Sequence, residues 1–195
     1  MSRLLIATTN PGKQREFRRL LAMLDAELVT PDELGLDLEV DEPHDTYAEN
    51  AAAKADAFAR ASGILSLADD SGIEIAALDW GPGVRSARWG DGRNAERVLE
   101  ALGSAPDRRA RMVCAVAVAR PGGPAPRIEI FTGVVEGRVA TEMRGAGGFG
   151  YDPIFELPSG LTTAELPEDE KDGLSHRGRA IAAAVPRLQE LLIDH

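Results

Sequence analysis

Two adjacent aspartates, Asp69 and Asp70, follow the short apolar run Ile64–Ala68 and are followed in turn by Ser71 and Gly72. Neighbouring carboxylates repel one another unless water or a cation stands between them. Magnesium binds through a few carboxylates and keeps several of its waters, so it leaves coordination positions for substrate phosphates. An acidic turn at the exit of a buried strand suits that metal. An ordinary solvated turn is the competing reading, because Asp, Ser and Gly are also common turn residues.

Only three of the 22 basic residues are lysine: Lys13, Lys54 and Lys171. An ammonium on a flexible stem makes compact point contacts to phosphate, whereas the guanidinium fork needs room and planarity. Lys13 ends the polar turn Thr8-Thr9-Asn10-Pro11-Gly12-Lys13, where a helix start would offer backbone amides to a phosphate chain. The turn is not a Walker loop, since Gln14 follows Gly12-Lys13 and the upstream glycine is missing. Lys54 lies among alanines, with Asn50 one helical turn earlier on the same face. Lys171 precedes Ser175-His176-Arg177, which puts two hydrogen-bonding side chains at a helix start.

The loop Phe149-Gly150-Tyr151-Asp152 carries two rings and a carboxylate beside glycines, a composition that can lay a ring against a flat base. Gly145, Gly147 and Gly150 match G-x-G-x-x-G in form, but they run into Pro153-Ile154-Phe155 and not into a helix. A dinucleotide fingerprint needs strand, glycines and helix in that order, so this one is rejected. Ser86-Ala87-Arg88, between Trp80 and Trp89, has no chemistry assignable from residue types alone.

The elements that would position these groups alternate between strand and helix. Residues 3–8 read as a buried strand, and Phe17, Leu20, Leu21 and Leu24 give a helical period from Lys13 to Leu24. Residues 30–45 read as irregular. Thr46 and Glu49 form a capping-box pattern that opens a helix ending near Gly63. Ile64–Ala68 is a strand and Ile73–Leu78 a second apolar run; Asn94–Leu102 is a short helix closed by Gly103. Met112–Ala119 and Ile128–Val135 read as a hairpin joined by Pro121-Gly122-Gly123-Pro124, apolar on both faces and so covered on both. Arg138–Met143 is a further strand candidate. Ser175 caps a last helix through Leu192, kinked or broken at Pro186. The pattern is mixed α/β in one domain, residues 1–195.

A formal charge of -10 argues against general nucleic-acid binding, which needs a basic face. A single cysteine, Cys114, forms no intrachain disulfide and sits in an apolar run as a packing residue. No segment approaches the roughly 20 apolar residues of a membrane helix, and Leu4–Ala7 is too short for a secretion signal, so a cytoplasmic location is expected.

Together the motifs resemble one family. The order Thr9-Asn10, Lys13, Glu16, then Glu49-Asn50-Ala51 with Lys54-Ala55, Asp69-Asp70-Ser71-Gly72, Ser86-Ala87-Arg88, Gly147 to Phe155 and Ser175-His176-Arg177 is similar to that of the inosine/xanthosine triphosphate pyrophosphatases. The likeness runs from about residue 4 to residue 185. It implies a mixed α/β fold with an elongated central sheet flanked by helices, two lobes around a cleft, and a homodimer. The activity implied is magnesium-dependent hydrolysis of ITP, dITP and XTP to the monophosphate and pyrophosphate, which keeps deaminated purines out of DNA and RNA. Asp70 then matches a proton acceptor and metal ligand, acting directly or through the ion's hydration shell. Glu42 matches a second acidic ligand, with Asp41 its rival. Thr8, Thr9, Asn10, Pro11, Gly12, Lys13, Lys54, Ser71 and Lys171 match triphosphate contacts; Phe149, Gly150, Tyr151, Asp152, His176 and Arg177 match the surroundings of the base. Two departures stand out: Thr9 replaces the more usual glycine or serine, and Asp172-Gly173-Leu174 reads as less helical than the family's stretch, which would alter how Lys171 is presented.

Overall fold

The computed structural model of the chain describes residues 2–90, 92–122 and 127–193. Its opening residues Leu4, Leu5 and Ile6 are all fully buried and form β1 (Arg3–Ile6). Pro11 at the first helical position and the Asn10 side chain then start α1 (Pro11–Leu20). That helix begins two residues before the expected Lys13 and ends four before Leu24. Residues 27–29, inside a stretch without an expected element, form β2 (Glu27–Val29), parallel to β1.

Thr46 caps the next helix as expected, with the Glu49 carboxylate bonded to its hydroxyl. Thr46 Oγ1 accepts from the Glu49 amide and donates to the Glu49 carboxylate at 2.6 Å, and α2 (Tyr47–Ser62) ends at Gly63, whose φ of 69° is the left-handed cap glycine tolerates best. The next strand overturns an expectation. β3 (Leu65–Ile75) is eleven residues long and runs straight through Asp69-Asp70-Ser71-Gly72, so no turn exists there. Its first half lies parallel to β1 and its end pairs antiparallel with β4 (Gly81–Pro82). The expected separate run Ile73–Leu78 is the end of β3 followed by a single 3-10 turn, Ala76–Leu78.

α3 (Asn94–Leu102) and its closing Gly103 fall where the sequence puts them. β5 (Arg109–Arg120) and β6 (Arg127–Val139) are neighbours in the sheet; residues 123–126 of the expected turn lie outside the described residues. β5 is buried on both faces. β6 is not: from Thr132 onward its even-numbered residues are exposed, because Thr132, Glu136 and Arg138 alternate with Gly133, Val135 and Gly137. Arg138 and Val139 end β6, and no strand continues to Met143. β7 (Phe155–Glu156) pairs antiparallel with this end of β6.

α4 (Glu168–Leu174) is a helix not expected from the sequence, and Asp172-Gly173-Leu174 are its last residues. α5 (His176–Ile193) follows after Ser175 and continues through Pro186. The seven strands make one mixed sheet in the order β2-β1-β3-β5-β6-β7, with β4 on β3, and helices flank it.

Contacts divide the chain into two compact units. The first comprises residues 1–70, 115–132 and 179–195, and its buried side chains include Leu4, Ile6, Phe17, Leu67, Ile181 and Leu188. The second comprises residues 71–114 and 133–178; its core gathers Ile73, Ile75, Val98, Leu102, Val135, Val139, Ile154 and Phe155. Cys114 is buried, as expected of a packing residue. No helix among the described residues is long and apolar enough to cross a membrane.

Candidate active site

The first unit holds an acidic cluster built on β3. Successive residues of a strand point to opposite faces, so Asp69 and Asp70 do not confront each other as they would in a turn. Asp69, 1% exposed, meets Lys13 Nζ at 3.0 Å. Asp70, 6% exposed, accepts from Asn50 Nδ2 at 3.0 Å. Burial pushes the Asp70 carboxyl above its ordinary pKa; the Asn50 hydrogen bond and the charges of Lys54 and Lys13 oppose that shift, and the charge of Glu42 adds to it.

Glu42 is itself ion-paired with Lys54. Asp41, its rival, is exposed. Asp70 and Glu42 are therefore two carboxylates close enough to feel one another, one of them desolvated, with an ammonium beside them. That donor set suits magnesium, which takes few protein carboxylates and keeps its waters. Among the described residues no group of three or more His, Cys, Asp or Glu side chains forms a denser metal cage.

The turn Thr8–Lys13 leads from β1 into α1, as expected from the sequence. Asn10 Oδ1 accepts from the amides of Gly12 (2.9 Å) and Lys13 (3.1 Å), which makes it the helix's own cap. Thr8 Oγ1 accepts from the Asn10 amide, and the Thr8 carbonyl accepts from Gln14 Nε2 at 2.8 Å. Thr9, Asn10 and Pro11 are exposed and Gly12 is buried. The side chain left projecting from this turn toward an acidic partner is Lys13.

The second unit holds Ser71, Phe149–Asp152, Lys171, His176 and Arg177. Asp152 organises the glycine-rich loop. Its carboxylate accepts from the Phe149 amide (2.7 Å), Thr163 Oγ1 (2.8 Å) and Lys171 Nζ (2.7 Å), all around a nearly buried ion pair. Gly148 has φ 69°, and a Cβ there would run into the Asp152 carboxylate, so glycine is required on both counts. Tyr151 is buried, and its hydroxyl donates to the Ser86 carbonyl at 2.8 Å; burial holds the phenol well above its usual pKa and so neutral. Phe149 is the half-exposed ring of the pair, with the Lys171 ammonium 5.4 Å and the Arg177 guanidinium 5.7 Å from its centroid. Arg177 also donates to Ser71 Oγ at 3.0 Å. His176 and Arg177 are both buried at the start of α5, where Ser175 Oγ accepts from the Gly178 amide at 2.9 Å.

Each of the three lysines thus pairs with a carboxylate: Lys13 with Asp69, Lys54 with Glu42, Lys171 with Asp152. Two contributors make bonds that their sequence motifs do not specify. Asn50 stands beside Lys54 and within Glu49-Asn50-Ala51; a poor helix former among alanines is the signal that marks its bond to Asp70. Ser86 bonds both flanks of its segment, accepting from the Ile73 amide at 2.9 Å and donating to the Gly83 carbonyl at 2.6 Å. Nothing in its composition signals that.

Comparison with known proteins places these features in context. The model of the Ham1 family matches residues 4–187. A dITP/XTP pyrophosphatase of Symbiobacterium thermophilum is 48% identical, covering 97% of this chain and 96% of its own length. One from Nitrosomonas europaea is 46% identical, with 97% and 96% covered. Among solved structures, a HAM1 protein from Coxiella burnetii superposes with a TM-score of 0.84 at 40% identity, over 97% of this chain and all of that one. A nucleoside-triphosphatase, also titled dITP/XTP pyrophosphatase, from Mycobacterium abscessus gives 0.72 at 38% identity, over 94% and 99%.

Proposed function

The chain belongs to the Ham1 family, and from that premise we propose that it hydrolyses non-canonical purine nucleoside triphosphates, dITP, ITP and XTP, to the monophosphate and pyrophosphate. The observation that carries the reading is the buried carboxylate of Asp70, raised in pKa and hydrogen-bonded, beside Glu42 and Lys54. A desolvated carboxylate of raised basicity is a competent proton acceptor for water. In this reading water attacks the α-phosphorus in line with the departing pyrophosphate, and Asp70 takes its proton. Asp70 and Glu42 would hold a magnesium ion, whose charge offsets that building on the phosphate oxygens.

Lys13 and Lys54 exchange their carboxylate partners for phosphate oxygens as substrate arrives, which keeps both ammonium groups paired throughout. Thr8 to Gly12 shape the turn that presents Lys13. In the second unit, Phe149 offers its ring to the purine, while Asp152 and Tyr151 hold the loop in place from behind. His176 and Arg177 are the donors for a 6-oxo group. Adenine presents an amino donor at that position, and a buried donor left facing a donor discriminates by up to about 10⁴–10⁵-fold. Lys171 is held by Asp152 and contributes its charge beside Phe149.

Incubation of the protein with dITP and magnesium, followed by separation of the products, tests the reading. Deoxyinosine monophosphate plus pyrophosphate is expected, with ATP turned over far more slowly. The diphosphate plus inorganic phosphate, or no turnover, would overthrow it.

A further inference from the structure

Asn50 lies inside the alanine-rich part of α2 with its side chain fully buried. A buried primary amide has to place two donors and an acceptor, and its surroundings here permit one orientation. The His44 amide donates to Asn50 Oδ1 at 3.1 Å, and the His44 carbonyl accepts from Asn50 Nδ2 at 3.2 Å. This two-point match with a backbone unit fixes which end of the side chain carries oxygen. The remaining donor of Nδ2 is thereby aimed at Asp70 Oδ2, 3.0 Å away.

His44 stands two residues after Glu42, in a stretch, residues 36–44, that has no helix or strand of its own to hold it. One side chain therefore grips the backbone of the segment bearing one carboxylate and donates to the other. Lys54, one turn along the same helix, takes the Glu42 carboxylate itself. Alanine would favour the helix more at position 50, so what asparagine adds is this bridge.

We infer that Asn50 is a positioning residue that fixes Glu42 relative to Asp70, and so sets the affinity of the two carboxylates for a divalent cation; the inference rests on the reading that these two residues hold the metal. Partners that orient a ligand from behind typically change metal affinity by about 10- to 100-fold when removed.

The test is binding of Mn²⁺ to the full-length protein without nucleotide, followed by the electron paramagnetic resonance signal of the free ion. Asn50→Ala is expected to weaken binding by about 10- to 100-fold. Glu42→Gln weakens it too, and the double variant should fall well short of the product of the two factors, because Asn50 acts partly through Glu42. A role confined to helix stability would leave the effects independent. Asn50→Leu, close in shape and a better helix former, serves if the alanine variant does not fold. Wild-type affinity in either folded variant, or fully multiplicative effects, would overturn the inference. Absence of Mn²⁺ binding to the wild-type protein would instead remove the metal reading itself, and the inference with it.

Discussion

At the scale of single residues, the candidate site works against the stability of the fold. A carboxyl whose pKa is higher in the folded than in the unfolded chain binds its proton more tightly when folded. The charge of Asp70 therefore adds no cost at low pH, and its cost grows as pH rises from the ordinary carboxylate range through the raised folded value. Asp70→Asn removes the charge and can still accept from Asn50. It should abolish dITP turnover and raise the melting temperature of the metal-free protein, with a margin over wild type that widens as pH rises from about 4 through the raised folded pKa. Scanning calorimetry at several pH values, beside the product assay, checks both halves; near-normal activity would remove Asp70 from its role. The Lys171–Asp152 pair behaves differently, since each partner answers a buried charge. Lys171→Met should destabilise the protein by about 3–5 kcal/mol by leaving Asp152 uncompensated. Chemical denaturation would show this as a lower midpoint, and an unchanged midpoint would mean the pair is solvated.

At the scale of elements, α2 and α3 are readable from the sequence because their caps are local, whereas the course of β3 is decided by distant contacts. Thr46 with Glu49, and Gly63 and Gly103 at helix ends, fix α2 and α3 because each cap is satisfied within a few residues. Replacing Thr46 with alanine should cost about 1 kcal/mol and lower the melting temperature by roughly 2–4 °C; no shift would mean that packing alone holds that end. Asp69-Asp70-Ser71-Gly72 misleads because its residues favour turns in isolation. What keeps them in a strand is tertiary: Lys13 and Asn50 meet the two carboxylates, and β1 pairs with the strand's first half. The apolar alternation of Ile73 and Ile75 around Glu74 was the available sign that the strand continues. α4 likewise announces itself through Glu168-Asp169-Glu170 directly after Pro167, acids placed where a helix N-terminus favours them. Of the site, the residue types were legible, but Ser71 and Lys171, expected beside Lys13 and Lys54, bond instead to Arg177 and Asp152. The pairing of each lysine with its carboxylate was not legible, because it joins segments from 12 to 56 residues apart.

For the whole molecule, charge sets a further expectation. A protein of net charge -10 repels a triphosphate at long range, while its three lysines act only at close quarters. Raising ionic strength from about 0.01 to 0.15 M shortens the screening length from about 30 to 8 Å. The kcat/KM for dITP, at fixed free magnesium, should therefore rise over that interval; a steep fall would show that the lysines dominate encounter. The strand that carries both aspartates has one more consequence. Enzymes that keep their chemistry on loops can gain or lose a residue nearby and drift toward new substrates. In β3 the deletion of one residue between Leu65 and Ala68 would reverse the facing of everything after it, moving Asp70 to the place of Asp69 and Ser71 to that of Asp70. Length changes in this segment should therefore be purged from the lineage, leaving substitution alone to reshape the site.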